Sequence, residues 1–185
     1  LAMPGAEIEI RSLEHHAQPV PLGEKGEVCV RGPQVMPGYW QNPAATEETF
    51  VDGWLRTGDV GYQDEDGYTF LVDRLKDVIL CSGYNVYPRA IEEALYLHEQ
   101  IAEVTCIGVP DPYRGQAPKA FVRLKDGVTD ITAEDLRAFL DDKISRIEMP
   151  REIEIREELP KTMVGKLSKK ELVEEERLKR EGTRQ

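Results

Sequence analysis

Polar and apolar residues alternate over Glu7–Arg11 and again over Glu27–Arg31, the period of two that marks half-buried strands. Pro19-Val20-Pro21-Leu22-Gly23 between them is a turn-rich loop. Asn42-Pro43 reads as a helix cap followed by proline at the first helical position, so PAATEETF is expected to be helical. Asp52-Gly53 is a turn signal. Val60–Gln63 and Tyr68–Val72 flank Asp64-Glu65-Asp66-Gly67, which predicts a β-hairpin. The first 72 residues thus read as mostly strand.

The pattern changes within Asp73–Pro88, DRLKDVILCSGYNVYP. A charged segment ending in Lys76-Asp77 separates the strand-like YTFLV from a short apolar run, Val78–Leu80, and the turn signal Ser82-Gly83-Tyr84-Asn85. A polar joint between two apolar blocks is where a domain boundary is expected. Beyond it helices and strands alternate. Pro88–His98 carries Ile91, Ala94, Leu95 and His98 at helical spacing. Ile101–Val109, Lys119–Lys125 and Glu152–Arg156 are strand candidates, with a loop at Asp111–Gly115. Thr132 and Asp135 resemble a capping box opening a helix with Leu136, Phe139 and Leu140 on one face. Leu159–Lys166 reads as a loop. Ser168 with Glu171, and Leu167 with Leu172, then suggest a capped and stapled last helix.

Composition narrows the class. The chain has 185 residues, 40% hydrophobic and 32% charged, with a formal net charge of -11. That balance argues against general binding to nucleic acid or anionic membranes, although a local basic loop could still hold a phosphate. No apolar run approaches the roughly 20 residues of a transmembrane helix, and no signal-peptide pattern opens the chain. Cys29, Cys81 and Cys106 lack CxxC spacing and lie in apolar runs, which suggests buried, reduced thiols and a cytoplasmic location. The chain starts at Leu1 within a strand-and-turn pattern, so it is expected to be part of something longer.

A few residues carry candidate chemistry. Asp59, after Thr57-Gly58, could accept hydrogen bonds from a pair of hydroxyls such as a ribose offers. On spacing alone a turn aspartate bonding its own backbone is the favoured reading. Arg74 could fork onto a phosphate or ribose oxygen, or pair with neighbouring Asp73 or Asp77; Lys76 has the same plain alternative. Gly83 could supply a positive φ or let a ligand approach the backbone, and a plain turn is its default. Lys166, after Gly165 on a loop, could neutralise charge developing on a reacting phosphate; a solvated loop lysine is its plain alternative. The His15-His16 pair has no supporting ligand cluster. Glu174-Glu175-Glu176 reads as a solvated helix face.

At these same residues the chain resembles the adenylate-forming superfamily of acyl-CoA synthetases, peptide-synthetase adenylation domains and beetle luciferases. Four blocks carry the resemblance in order: GEVCVRGPQVMPGYW followed by NPAATEETF, DGWLRTGDVG, DRLKDVILCSGYNVYPRAIEEAL, and LPKTMVGK. The resemblance implies an α+β fold: the mostly-β end of a large N-terminal domain (residues 1–75), joined by a hinge to a small, mobile α/β domain (76–185) with a mixed sheet and helices. It implies that Asp59 and Arg74 contact the ATP ribose and that Lys76 is the hinge. It implies that Gly83, with Tyr84 beside it, lines the CoA tunnel, and that Lys166 is the catalytic lysine of adenylation, a position open to acetylation. The implied reaction joins a carboxylic acid, such as a medium- or long-chain fatty acid, to ATP as acyl-AMP with release of pyrophosphate. The acyl group then passes to CoA after a domain rotation.

Two departures bound this reading. The Gly/Ser/Thr-rich phosphate loop, the acyl pocket and the Tyr-Gly-x-Thr-Glu block that serves adenine and magnesium are not in this sequence. The resemblance puts them, and the Mg2+ ligand, upstream in a missing N-terminal domain, so the chain alone is expected to be inactive. Gln116-Ala117-Pro118 replaces a more usual Gly-Glu-x pattern, and no CoA contact is assigned there. An aryl-CoA ligase, a peptide-synthetase adenylation domain, or a shortened non-catalytic module that binds nucleotide or a partner are the alternatives.

Overall fold

The alternating segments at the start of the chain pair as strands, as expected. The structure is a computed structural model and describes residues 2–182. It divides into two units, Leu1–Lys76 and Asp77–Gln185.

In the first unit β1 (Glu7–Arg11) runs antiparallel to β2 (Gly26–Arg31), which pairs in turn with β4 (Trp54–Gln63). Between them lie helix α1 (Pro43–Thr49) and the short strand β3 (Phe50–Val51). The Asn42 side chain caps α1 by accepting the Ala45 N–H at 3.1 Å. Trp54–Asp59, which the pattern left unassigned, forms the first half of β4. Its Trp54 is buried beneath the guanidinium groups of Arg11 and Arg31, 5.0 and 4.5 Å from the ring centre. The expected hairpin joins β4 to β5 (Thr69–Arg74), and its turn is closed by Asp64 Oδ1, which accepts from the Asp66 and Tyr68 N–H groups. Ile10, Val28, Cys29, Trp54 and Val60 form the buried interior. A single 3₁₀ turn, Leu75–Asp77, follows β5.

The second unit is built on a mixed sheet. The long antiparallel pair β8 (Ile101–Asp111) and β9 (Gly115–Leu124) is its spine. On the other edge of β9 lie the short hairpin β6 (Ile79–Cys81) and β7 (Tyr84–Val86), touching at Cys81–Gly115, and the parallel strand β10 (Glu152–Ile155). Both faces of the spine are covered because its strands are apolar on both faces. Cys106, Ala120 and Val122 face α2 (Pro88–Tyr96) and α3 (Ala133–Leu140), where Ile91, Leu95, Leu136 and Leu140 are buried. Ile107, Val109 and Phe121 face Leu159 and Leu172, the latter on α4 (Lys169–Gly182). Leu167 packs into the same cluster as Leu172, as the staple spacing predicts. The Thr132–Asp135 capping box forms in both directions. Helix α2 stops at Tyr96, short of His98, whose ring instead packs edge-on against Phe139 at 4.8 Å.

One expectation needs correction. Glu174-Glu175-Glu176 is not simply a solvated face. Glu176 and Glu175 turn toward the sheet, where Lys119, only 3% exposed, meets Glu152, Glu154 and Glu176 at 2.9, 2.8 and 3.1 Å, and Arg156 meets Glu175 at 2.8 Å. A buried ammonium needs such company, because desolvation otherwise disfavours its charge. The fold is α+β. No helix among the described residues is long and apolar enough to cross a membrane.

Candidate active site

In the first unit the structure brings Asp59 and Arg74 together. They face each other across the β4–β5 pair, and Arg74 Nε lies 2.8 Å from Asp59 Oδ1. Arg74 therefore pairs across the sheet; its neighbour Asp73 instead accepts the Arg74 backbone N–H at 2.7 Å. The register slips between Val60 and Gly61, just past Asp59. The expected turn before Asp59 is instead an irregularity within β4, where the β2–β4 register shifts and Gly58 has φ of 73°, and it is braced from β2. Thr57 Oγ1 donates to the Val28 carbonyl at 2.7 Å and accepts the Asp59 N–H at 3.1 Å. Glu27, 1% exposed, accepts the Gly58 N–H at 3.2 Å with one oxygen and Arg56 Nε at 2.8 Å with the other. His16 Nδ1 lies 3.4 Å from that second oxygen. Sequence reasoning missed Glu27 and His16: their partners lie up to 40 residues away, and no local spacing marks them.

Lys76 is exposed on the 3₁₀ turn at the junction of the two units and forms no ion pair with a described residue.

In the second unit the hairpin turn consists of Ser82 and Gly83, with φ of 52° and 82°. Two consecutive positive φ angles give the primed turn that suits a two-residue hairpin, and glycine adopts one without strain. A side chain at Gly83 would meet no atom within 4 Å, so the space over this backbone is open. Tyr84 beside it is 65% exposed. The hairpin is tied to the start of β9: the Ser82 N–H donates to the Arg114 carbonyl at 2.8 Å, and Leu80 N–H to Gln116 Oε1 at 2.9 Å. Gln116 thus has a structural task, bracing the hairpin edge. Next to Arg114 opens a cavity of about 590 Å³ lined by Arg114, Arg137, Arg146 and Arg151 among others. Arg151 pairs with Asp111 at 3.1 Å, and Arg137 donates to the carbonyls of Pro150 and Arg151. Arg114 and Arg146 form no ion pair with a described residue, and the carboxylates of Asp111 and Asp141 line the same space.

Lys166 lies on a small hairpin loop closed by a bridge between Lys161 and Leu167. Thr162 N–H donates to the Lys166 carbonyl at 2.7 Å, and Lys166 N–H to Thr162 Oγ1 at 3.2 Å. Gly165, at φ 80°, makes the turn. The lysine is exposed, unpaired among the described residues, and preceded by the bare apolar tip Met163-Val164. At its base Lys161 meets Glu103, which stands opposite Arg123 near the far end of the β8–β9 ladder. The Gly83 hairpin is tied at Gly115 and the Lys166 loop beside Arg123. Eight residues of strand separate them, roughly 26 Å at the rise of an extended chain. The Gly83 hairpin is thus anchored at the Gly115 end of the β8–β9 ladder, and the Lys166 loop further along it, by Glu103 opposite Arg123 and by Glu92 against Cys106 opposite Ala120.

Residues 90–166 match the family described as AMP-binding enzyme C-terminal domain, and residues 1–40 match AMP-binding enzyme. The chain belongs to the AMP-binding, adenylate-forming enzymes. Among curated relatives, a long-chain-fatty-acid–CoA ligase of Bacillus subtilis is 52% identical over 153 residues, covering 83% of this chain and 27% of the relative. A feruloyl-CoA synthase of Amycolatopsis is 43% identical over 164 residues, covering 89% and 33%. Among solved structures, ATP-bound MatB from Rhodopseudomonas palustris superposes with a TM-score of 0.87 at 33% identity, covering 94% of this chain and 34% of that one. The chain thus spans about a third or less of the length of these relatives.

Among the described residues no group of three or more His, Cys, Asp or Glu side chains is gathered to hold a metal ion.

Proposed function

We propose that this chain is part of an ATP-dependent acyl-CoA synthetase, taking in the end of its large domain and its small, mobile one. The observation that carries the proposal is the separation of Gly83 and Lys166 along the β8–β9 ladder. Two functional loops anchored at different levels of one strand pair are not brought together on one adenylate in a single pose. A unit that turns about Lys76 can present them in sequence.

In the first half-reaction a carboxylate oxygen attacks the α-phosphorus of MgATP and pyrophosphate leaves. Asp59 accepts hydrogen bonds from the ribose hydroxyls, and Arg74, its partner, adds a donor to a ribose oxygen. Lys166 brings a positive charge to the phosphate as negative charge builds on it. The magnesium arrives with the ATP. In the second half-reaction the small domain has turned, and the open backbone at Gly83, beside Tyr84, admits the pantetheine arm. Arg114 and Arg146 suit the phosphates at the far end of CoA. The thiol sulfur attacks the acyl carbon, the acyl–phosphate bond breaks, and AMP leaves.

The substrate class is proposed to be long-chain fatty acids, after the Bacillus subtilis relative. An aromatic acid is the second reading, favoured by the 43% identity to a feruloyl-CoA synthase. The test is ATP–pyrophosphate exchange by the intact protein carrying this chain, across fatty acids of eight to eighteen carbons and a cinnamic-acid series. Acid-dependent exchange abolished by Lys166→Ala is expected. Acid-dependent exchange by the 185-residue chain alone, or none by the intact protein with any acid, would overturn the proposal.

A further inference from the structure

Lys166 sits on an exposed tip, yet both ends of its loop are fastened by ion pairs, one to strand β8 and the other to helix α2. At one end Lys161 Nζ lies 2.6 Å from Glu103 Oε1. At the other Lys169 Nζ lies 2.9 Å from Glu92 Oε1. Both carboxylates are ordered by the sheet independently of the loop. The second oxygen of Glu103 accepts from Arg123 Nε at 3.2 Å, across the β8–β9 pair. Glu92 Oε1 accepts the Cys106 N–H at 2.8 Å, while the nearby Tyr96 hydroxyl accepts the Val104 N–H at 3.2 Å. Strand β8 pairs with β9 alone, so these α2 side chains cover an edge that would otherwise present open donors. The Glu103 and Glu92 side chains are only 20% and 17% exposed.

An ion pair between two mobile surface groups adds little, because both must be ordered to make it. In these two pairs the acid is already fixed, and only the lysine is restrained. The tip between them is closed by its own hydrogen bonds, including Gly165 N–H to the Thr162 carbonyl at 2.8 Å, so it can swing as one small body. Leu159 and Leu167 pack beneath it, but apolar contact has no direction. Two separate charged tethers supply the direction that apolar packing lacks.

We propose that Glu103 and Glu92 are positioning residues for Lys166, clamping one end of its loop to β8 and the other to α2, and so setting the line along which the lysine meets the phosphate. The positioning role rests on the reading of Lys166 given above; the clamp itself does not. Two measurements separate them. In the 185-residue chain, Glu103→Gln and Lys169→Met should each speed amide exchange at Gly165, Lys166 and Ser168 about fivefold, leaving the β6–β7 hairpin unchanged. Lys169→Met is used in place of a Glu92 variant because Glu92 also covers the Cys106 N–H. Unchanged exchange in both variants overturns the clamp. In the intact protein the same variants should slow adenylation about fivefold and leave thioester formation from supplied acyl-adenylate within about twofold. Lys161→Met should behave like Glu103→Gln, and Lys161→Arg, which keeps the charge, should restore the rate. Equal loss in both half-reactions, or no rescue by arginine, overturns the positioning role. Adenylation that survives Lys166→Ala overturns the reading of the lysine, while amide exchange still decides the clamp.

Discussion

The Gly83 hairpin and the Lys166 loop end in turns of similar size, and they are held in opposite ways. The hairpin is fixed by backbone: two positive φ angles, a ladder contact at Cys81–Gly115, and hydrogen bonds to Arg114 and Gln116. The lysine loop rests on side chains: ion pairs at its ends and leucines beneath, with an exposed tip. The difference suits the work proposed for each. A wall of a substrate tunnel has only to be rigid and open, and backbone geometry with one brace from the Gln116 side chain achieves that. A lysine that meets a charge only as it develops needs a bare ammonium on an aimed support, and charged tethers can aim it without covering it.

The largest expected effect breaks the support of the lysine loop while leaving the hairpin. Lys119 fastens α4, the helix that follows the loop, to β9 and β10. Lys119→Ala removes the buried cation from three carboxylates, of which Glu154 keeps Arg156 and Glu176 keeps Lys179, and should cost about 3 kcal/mol in denaturant unfolding. A loss below about 1 kcal/mol would show that the cluster is solvated and weak.

Acid should loosen the same support. Burial pushes the Glu154 carboxyl up, but hydrogen bonds from Lys119 and Arg156, with their charges, outweigh it and hold the group down at about 2. The folded value lies below the ordinary 4.5, so the stabilisation is complete above pH 4.5 and disappears as pH falls from there toward 2. Its size is on the order of 2 kcal/mol once solvent access is allowed for. Melting curves across that window should show the loss in the native chain and a flatter response in Lys119→Ala.

Lys76→Pro should act on neither loop directly. By restricting rotation at the junction it should slow thioester formation about tenfold, with a smaller effect on adenylation. Equal loss in both half-reactions would count against a hinge at this residue.

The smallest effects give the sharpest contrast. Gly83 and Gly165 have φ of 82° and 80°, and an added Cβ at either meets nothing within 4 Å. Alanine at each should therefore cost a similar amount, about 1 kcal/mol of backbone strain. The functional consequences should differ: Gly83→Ala should impair thioester formation and Gly165→Ala adenylation. Matching defects in the two variants would dissolve the distinction between the loops.

Much of the fold was legible because its signals are local. The Asn42 cap, the Asp64 turn and the Thr132–Asp135 box each close within a few residues, and each forms as read. What was not legible depends on register and distance. Nothing beside Arg74 in sequence points to Asp59, and its nearer carboxylates Asp73 and Asp77 were the obvious partners; the β4–β5 pairing decides otherwise. Lys119 meets Glu176 from 57 residues away, so a run of glutamates that looks solvated is partly internal. Likewise the loop around Lys166 is plain in the sequence, but the acids that hold its ends come from α2 and β8 and carry no motif.

The most direct measurement is the separate assay of both half-reactions in the intact protein carrying Lys166→Ala. Two loops anchored apart on one ladder, used in turn, predict that adenylation falls by about 10² to 10³ while thioester formation from supplied acyl-adenylate stays within about threefold. If both half-reactions fall together, the two loops serve a single arrangement, and the account of a turning domain is wrong.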